Sequence, residues 1–320
     1  MIEMSIPDTS ENSSFSRVQS AMQTAVDSTS IGEFKLCERK YYYSIIWGYQ
    51  PRLQNVHLTF GLLLHAASAT FHHAKNEGQS HDQALQTTIR WALQATWNRE
   101  LQRPWISNDP SKNRLSLLRA IVWYFDQFAE DPLETVILSN GKPAVELDFQ
   151  ADSGLRTSRS EPIVVCGRFD RIVRFNDRPH GLDAKTTGYQ LDANFFAQFS
   201  PDNQISLYNT AGRLVFHEPI QGFIIDGIQV GANFVRVHRG LVPRPLGTLE
   251  EWWGEFGLWV QQMEAAAEAR YWKMNDKACT MYGGCKFRPV CSRSPQAREQ
   301  WLKADYARRV WDPINRREDV

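Results

Sequence analysis

Midway along this chain the spacing of apolar residues changes, and that change limits the fold more than any other feature. Over His57–Lys75, Asp82–Leu101 and Ser111–Glu130 apolar residues recur every three to four positions, the period of an amphipathic helix. From Pro143 the period falls to two. Pro143–Ala151, Ile163–Phe175 and Gly181–Thr187 read as strands, broken by turn formers such as Asn176-Asp177-Arg178-Pro179. A helix over Pro201–Val215, strands over Gly222–Val230 and Ala232–His238, and a long helix over Thr248–Met274 complete the series. The order predicts an α/β fold: a mixed β-sheet flanked by helices, with an N-terminal helical insertion ahead of it.

The chain has 42% hydrophobic residues and 12% aromatics, ample for a buried core. No apolar run approaches the roughly 20 residues that cross a bilayer, and no basic-then-apolar signal opens the chain. A soluble cytoplasmic protein with no membrane partner is the expectation. Residues 1–28 are rich in Ser and Thr without hydrophobic period and read as a flexible leader. Ser28-Thr29-Ser30 resembles a helix cap before Ile31–Ile46. Residues 29–320 are expected as a single domain: a helical part over 57–131, a sheet core over 143–238 and a cysteine segment over 279–291. With 36 basic and 36 acidic side chains the net charge is zero, which argues against an indiscriminate DNA coater. Basic residues do gather locally. Lys286, Arg288, Arg293, Arg298, Lys303, Arg308, Arg309, Arg316 and Arg317 read either as a solvated helical face or as a phosphate-binding strip.

Alternation along Ile163–Phe175 places Val165, Phe169, Val173 and Phe175 on one face and Arg168, Asp170 and Arg174 on the other. On the next strand Asp183 and Lys185 share a face, with Leu182, Ala184 and Thr186 opposite. If a hairpin closes through Asn176–His180, two carboxylates and an amine meet in one small volume. That collection suits phosphodiester hydrolysis. Carboxylates hold Mg²⁺ or Mn²⁺, such an ion acidifies bound water and polarises a phosphate, and an amine offsets charge in the transition state. Asp-x-Lys alone describes many ordinary surface hairpins.

Further residues extend the pattern. Gly167-Arg168-Phe169-Asp170-Arg171, followed a dozen residues on by Asp183-Ala184-Lys185, resembles motifs II and III of the PD-(D/E)XK nuclease superfamily. Gly61-x-x-x-His65 resembles the extra metal-ligand histidine of its RecB-like branch, and Gln204-x-x-x-Tyr208 that branch's helical Gln/Tyr motif, whose spacing puts both side chains on one helix face. The resemblance implies a restriction-endonuclease-like fold. It also implies that His65, Asp170, Asp183 and the Ala184 backbone carbonyl bind Mg²⁺ or Mn²⁺, and that Lys185 is catalytic together with Asp170 and Asp183. Gln204 and Tyr208 would touch substrate phosphates or steady the lysine. Glu146, on a strand where relatives often carry an acid, is a side candidate, since an edge-strand Glu is commonly just solvated. His72 and His73 read as solvated or packed helix residues.

Five cysteines are too few for a disulfide framework, and Cys279, Cys285 and Cys291 are evenly spaced while Cys37 stands far upstream. Four thiolates suffice for an iron–sulfur cluster or a structural zinc. Phe34-x-x-Cys37-x-Arg39-Lys40-Tyr41-Tyr42 and Cys285-x5-Cys291 resemble the upstream and final elements of the branch's iron-staple members, such as the AddB helicase-nuclease subunit. The resemblance implies a structural 4Fe–4S cluster on Cys37, Cys279, Cys285 and Cys291. Those relatives usually have two residues between the first two downstream cysteines and this chain has five, so Zn²⁺ stands as the alternative. Gly283-Gly284 gives the longer loop flexibility. Cys166 reads as a packed small hydrophobe.

The leading expectation is therefore a metal-dependent DNA nuclease, an exonuclease on single strands or ends in recombination, repair or phage DNA processing. The chain carries no P-loop, which fits a stand-alone enzyme, with a helicase or annealing protein as a possible partner. Tyr41–Tyr43 and Trp47 read as core or as a base-stacking platform. The alternative is a catalytically weak nucleic-acid-binding subunit of a repair or recombination complex, whose mark would be a broken Asp/Asp/Lys set. A regulatory zinc or cluster protein is a third reading, and predicts no Mg²⁺ or Mn²⁺ dependence.

Overall fold

The computed structural model describes residues 14–52 and 55–315. Its main elements, in chain order, are β1 (Ala25–Val26), α1 (Ser28–Leu36), α2 (Val56–Asn76), α3 (His81–Ala95), α4 (Arg114–Gln127), β2 (Val145–Arg156), β3 (Pro162–Phe175), β4 (Arg178–Thr187), α5 (Asn203–Val215), β5 (Gly222–Val230), β6 (Val235–Pro243), α6 (Leu246–Ala269) and α7 (Pro295–Asp305). The mixed sheet flanked by helices is as expected: β3 pairs antiparallel with β4, β4 parallel with β5, and β5 antiparallel with β6. The described residues form two compact units, one of 55–149 and 168–245, the other of 14–52, 150–167 and 246–315. The chain passes between them within β2 and β3.

In the first of these units, polar side chains set the helix starts. Asn55 accepts from His57 N to open α2, and capping boxes at Ser80 with Gln83 and Asn113 with Ser116 open α3 and α4. One face of α2 (Phe60, Leu63, Leu64, Ala67, Phe71, Ala74) packs with Leu117, Ala120, Ile121 and Phe125 of α4 and with Ile228 and Val230 of β5. The Phe71 and Phe125 rings stack at 3.8 Å between centroids. Burial of each large apolar side chain contributes roughly 1.5–3 kcal/mol, so this layer holds α2 firmly against the sheet. Every residue of β5 is buried, as befits a central strand with a parallel neighbour.

Three expectations change. The helix expected over Asp82–Leu101 stops at Ala95, because the Thr96 hydroxyl bonds back to Ala92 O and Asn98 caps a turn by accepting from Leu101 N. The one expected over Thr248–Met274 stops at Ala269, where Arg270 takes a left-handed φ of 50°. Strict alternation along Ile163–Phe175 also slips. Phe169 packs on Tyr208 and Phe223, whereas Val173 packs on Leu182 and Ile224. Phe223 and Ile224 are successive residues of one strand and face opposite ways, so Phe169 and Val173 do not share a face.

Lys112 is buried in the same unit, its Nζ 4.3 Å from the centre of the Phe60 ring and without a hydrogen-bond partner. Burial lowers its pKa to about 8, against the pull of Asp109. The unfolded chain thus binds more protons than the native one between about pH 8 and the ordinary lysine value of 10.5, and stability rises with pH across that window. Lys112→Met is expected to stabilise the protein at pH 7 by ~1–3 kcal/mol. Urea midpoints at pH 7 and 10 check this: the wild type gains on going to pH 10 and the variant does not.

The second unit is aromatic. Tyr42 stacks on Trp272 at 5.2 Å, Tyr43 meets Phe287 at 5.4 Å, and Phe287 stacks on Tyr306 at 5.2 Å. Tyr41, Tyr43 and Trp47 are buried, so of the two readings of this segment the core is correct and the base-stacking platform is not. Part of the expected leader is packed as well. Phe15, Met22, Ala25 and Val26 are buried, and Ala25 and Val26 pair with Val164 and Val165. Residues 1–13 lie outside the described residues, as do Arg316 and Arg317. In the basic segment Lys303 pairs with Glu299 at 2.8 Å, Arg293 lies over the Trp301 ring, and Arg298 bonds the Cys291 carbonyl.

Candidate active site

The site begins with a turn. Asn176 and Asp177 are both left-handed, at φ 50° and 59°, between the paired residues Phe175 and Arg178. This is the backbone of a type I′ hairpin, which matches strand twist and suits Asn and Asp. It fixes the register from Phe175 opposite Arg178 through Arg171 opposite Leu182, which carries Asp170 and Asp183 to the end of the paired segment. Asp170 Oδ2 then accepts from Ala184 N at 3.1 Å.

Crossover helix α5 brings the next group. Asp202 caps it by accepting from Ile205 N, which sets Gln204 in the first turn. Gln204 Oε1 accepts from Lys185 Nζ at 2.9 Å and its Nε2 donates to Asp183 Oδ1 at 3.2 Å. Lys185 Nζ lies 2.8 Å from Asp183 Oδ2. The lysine is thus held from two sides. Tyr208 lies one turn deeper, buried against Phe149, Phe169 and Phe223, with its hydroxyl 3.5 Å from Arg168 N.

From α2, His65 Nδ1 reaches Asp170 Oδ2 at 3.1 Å. Among the described residues, His65, Glu146 and Asp170 each offer a ligand atom, all within 4.8 Å of one another. Asp183 is not part of that trio; its carboxylate is engaged by Lys185 and Gln204. Glu146, only a side candidate in the sequence, belongs to the group. Its Oε2 lies 3.7 Å from Arg168, which in turn grips Asp148 with two hydrogen bonds of 2.7 and 2.9 Å. Glu146 has φ 47°, a left-handed backbone that costs a non-glycine residue on the order of 1 kcal/mol or more. Nothing in the sequence signals that conformation. The Ala184 N–H serves Asp170.

The electrostatics are those of a crowded anionic pocket. Burial, then repulsion from Asp170, pushes Glu146 up to about 7. Burial likewise raises Asp183 to about 6, against the attraction of Lys185. Burial alone would raise Asp170, but His65, Lys185 and the Ala184 N–H hold it below the usual carboxylate range. Burial alone would lower His65 and Lys185, yet the carboxylates outweigh it: His65 rises to about 9, and Lys185 stays above its ordinary value. Two carboxylates and an imidazole nitrogen converging in a half-buried space fit a hard divalent cation, which relieves their mutual repulsion. Glu146→Gly is expected to weaken Mn²⁺ binding tenfold or more, with the unfolding midpoint held or raised because the left-handed strain goes. Calorimetric titration beside urea unfolding checks both signs.

The cysteines lie in the other unit, and none of the five is in a disulfide. Cys37 Sγ accepts from Asn275 N at 3.4 Å, and Cys279 Sγ lies 3.8 Å from Asn275 O. Burial raises the Cys279 thiol, with Cys285 and Cys37 adding to it. Burial also raises Cys291 to about 11, against Arg39 and Arg298, with Cys285 and Cys37 again adding. Among the described residues the four sulfurs are not drawn together as closely as the His65 trio. Gly283 and Gly284, at φ 82° and 107°, turn the chain between Cys279 and Cys285. Cys166 is buried, as a packed small side chain. His72 meets the stacked Phe71 and Phe125 rings edge-on and bonds Arg171.

Fold and site together define a metal-dependent nuclease of the α/β class. Residues 28–292 match the model of the PD-(D/E)XK nuclease superfamily, and the chain belongs to that superfamily, whose members use divalent metals such as Mg²⁺. Comparison with the curated proteins gives no significant match. Among solved structures, a candidate exonuclease from Eubacterium rectale is similar at TM-score 0.49 and 10% identity, over 80% of this chain and 87% of that one. The protein SSO0001 is similar at TM-score 0.26 and 11% identity, over 60% of this chain and 73% of that one. Likenesses at these scores carry no assignment of activity. Among the described residues no helix is long and apolar enough to cross a membrane.

Proposed function

We propose that this chain is a divalent-metal-dependent deoxyribonuclease acting as an exonuclease on single strands or ends, in recombination, repair or phage DNA processing in the cytoplasm. The observation that carries the reading is the convergence of His65, Glu146 and Asp170 beside a lysine held by Asp183 and Gln204. His65, Asp170, Asp183 and the Ala184 carbonyl, with Glu146 added, hold Mg²⁺ or Mn²⁺. A bound ion supplies an acidified water and a polarised phosphate. Lys185 orients the attacking water and offsets charge on the phosphorane-like transition state, and Gln204 keeps its amine from collapsing wholly onto Asp183. Tyr208 backs the strand that carries Asp170. In the other unit Cys37, Cys279, Cys285 and Cys291 hold a structural 4Fe–4S cluster, with Zn²⁺ as the alternative occupant. The N–H donated to Cys37 Sγ is of the kind that supports cluster thiolates. A helicase or annealing protein would feed the enzyme its strand.

The test is direct. Pure protein is incubated with 5′- and 3′-labelled single- and double-stranded DNA in Mg²⁺, Mn²⁺ or EDTA. Stepwise shortening from one end, abolished by EDTA, is expected. Binding without cleavage in every metal would favour the catalytically weak subunit instead, and cleavage that persists in EDTA would remove the metal site from the chemistry.

A further inference from the structure

We propose that Leu58, Leu62 and Tyr189 form an apolar rim that stacks the unpaired bases of a nucleic-acid strand entering the candidate site, a proposal that rests on the nuclease reading above. Leu58 is 64% exposed, Leu62 47% and Tyr189 85%. Single exposed apolar residues are common on any surface; the position of these three is what matters. Residues seven apart on a helix point the same way, so Leu58 shares the direction of His65, and Leu62 sits on the adjoining shoulder, turned from the core face of Phe60, Leu63 and Leu64. At Gly61, between the two leucines, the helix closes on the end of β4: a Cβ there would stand 4.0 Å from Thr186 Oγ1. Thr186 follows Lys185 directly. Tyr189 comes three residues later, in a turn held by its N–H donating to Thr187 Oγ1 at 3.0 Å. Two leucines on the helix that carries His65, and a tyrosine at the exit of the strand that carries Lys185, therefore lie on the two elements that build the candidate site.

The spacing suits a strand. Leu62 and Leu58 lie about 4.5 and 10.5 Å along the helix axis from His65, the length of roughly one to three nucleotides at about 3.4 Å each. None of the three carries a charge to pair with a phosphate. A phenol ring and branched apolar side chains recognise the faces of bases without regard to sequence. In a duplex those faces are covered by neighbouring pairs, so the rim selects unpaired bases, in single strands or frayed ends.

Binding without cleavage tests this. Fluorescence anisotropy of wild-type protein in EDTA is compared for a single-stranded oligonucleotide, an abasic one of the same length and charge, and a blunt duplex. The single strand is expected to bind tightest. Tyr189→Ala, or Leu58→Ser with Leu62→Ser, should weaken it about tenfold while leaving the abasic strand unchanged, and Tyr189→Phe should keep wild-type affinity. All three side chains are exposed, and unchanged urea midpoints would confirm that the variants fold. Single-strand affinity that is the same in Tyr189→Ala, or an equal loss on the abasic strand, overturns the rim. The first of those results is also what a face that docks a protein would give. Because the readout needs no hydrolysis, a failed cleavage assay would sink the nuclease reading and leave this measurement to stand or fall separately.

Discussion

Lys185→Met is expected to cut the rate of phosphodiester hydrolysis about a thousandfold while metal binding survives. The lysine is the cation that Asp183 holds, 2.8 Å from its carboxylate and 2.9 Å from Gln204. Methionine keeps the volume and loses three donors and the charge. Removing one member of a buried ion pair ordinarily costs about 3–5 kcal/mol. Here the loss should be smaller, because burial already raises Asp183 to about 6 and without its lysine it takes up a proton more readily. Protonation of that kind stabilises the native state below the shifted pKa and is lost as pH rises through it. The variant should therefore be nearest wild-type stability in mild acid and fall behind above neutrality. The effect on chemistry has no such escape. Titration of Mn²⁺ into the variant should still show binding through His65, Glu146 and Asp170, while single-turnover cleavage falls. A variant that cleaves within tenfold of wild type would remove Lys185 from the mechanism. Loss of Mn²⁺ binding together with cleavage would make it a structural strut for the metal pocket.

How far this site was legible depended on range. The Asn176-Asp177 turn is local chemistry, and so the approach of Asp170 to the Asp183–Lys185 segment followed from it. The i,i+4 spacing of Gln204 and Tyr208 gave their common helix face, but not that Tyr208 would be buried among Phe149, Phe169 and Phe223, since those three rings come from three different strands. Glu146 illustrates the opposite case. Its role rests on a left-handed backbone that local propensity disfavours, imposed by the strand around it, and sequence reasoning has no handle on such strain. Residues 14–27 were illegible for a similar reason. Their polar composition reads as leader, yet Ser14 and Ser16 find partners in Asp312 and Glu161, and Ala25–Val26 complete the edge of β3. Such burial is set by contacts well over a hundred positions away.

Cys285→Ala is expected to cost on the order of 5 kcal/mol of stability, a third or more of what a domain normally has. The magnitude comes from the loop. A cluster joining Cys37 to Cys291 closes roughly 250 residues, and chain-entropy arguments give about 5 kcal/mol for a cross-link of that span. Non-covalent ties already run between the same segments: Arg39 N to Lys273 O at 2.9 Å, Arg39 Nε to Trp272 O at 2.8 Å, and Asn275 Nδ2 to Leu36 O at 2.9 Å. Each contributes about 1 kcal/mol, and stacking of Tyr42 on Trp272 adds about as much again. These contacts orient the two segments but cannot constrain the unfolded chain. A bound cluster does, which is why its loss should appear in the unfolding midpoint before it appears in the chemistry. The prediction is that the variant loses its iron or zinc by elemental analysis and unfolds at much lower urea. Its folded fraction, measured at low temperature, should retain wild-type cleavage per molecule, because the His65 and Lys185 group lies among residues 55–149 and 168–245 and uses no cysteine. Wild-type protein purified without oxygen that carries neither metal, and a Cys285→Ala midpoint equal to it, would leave the four thiols as packing alone.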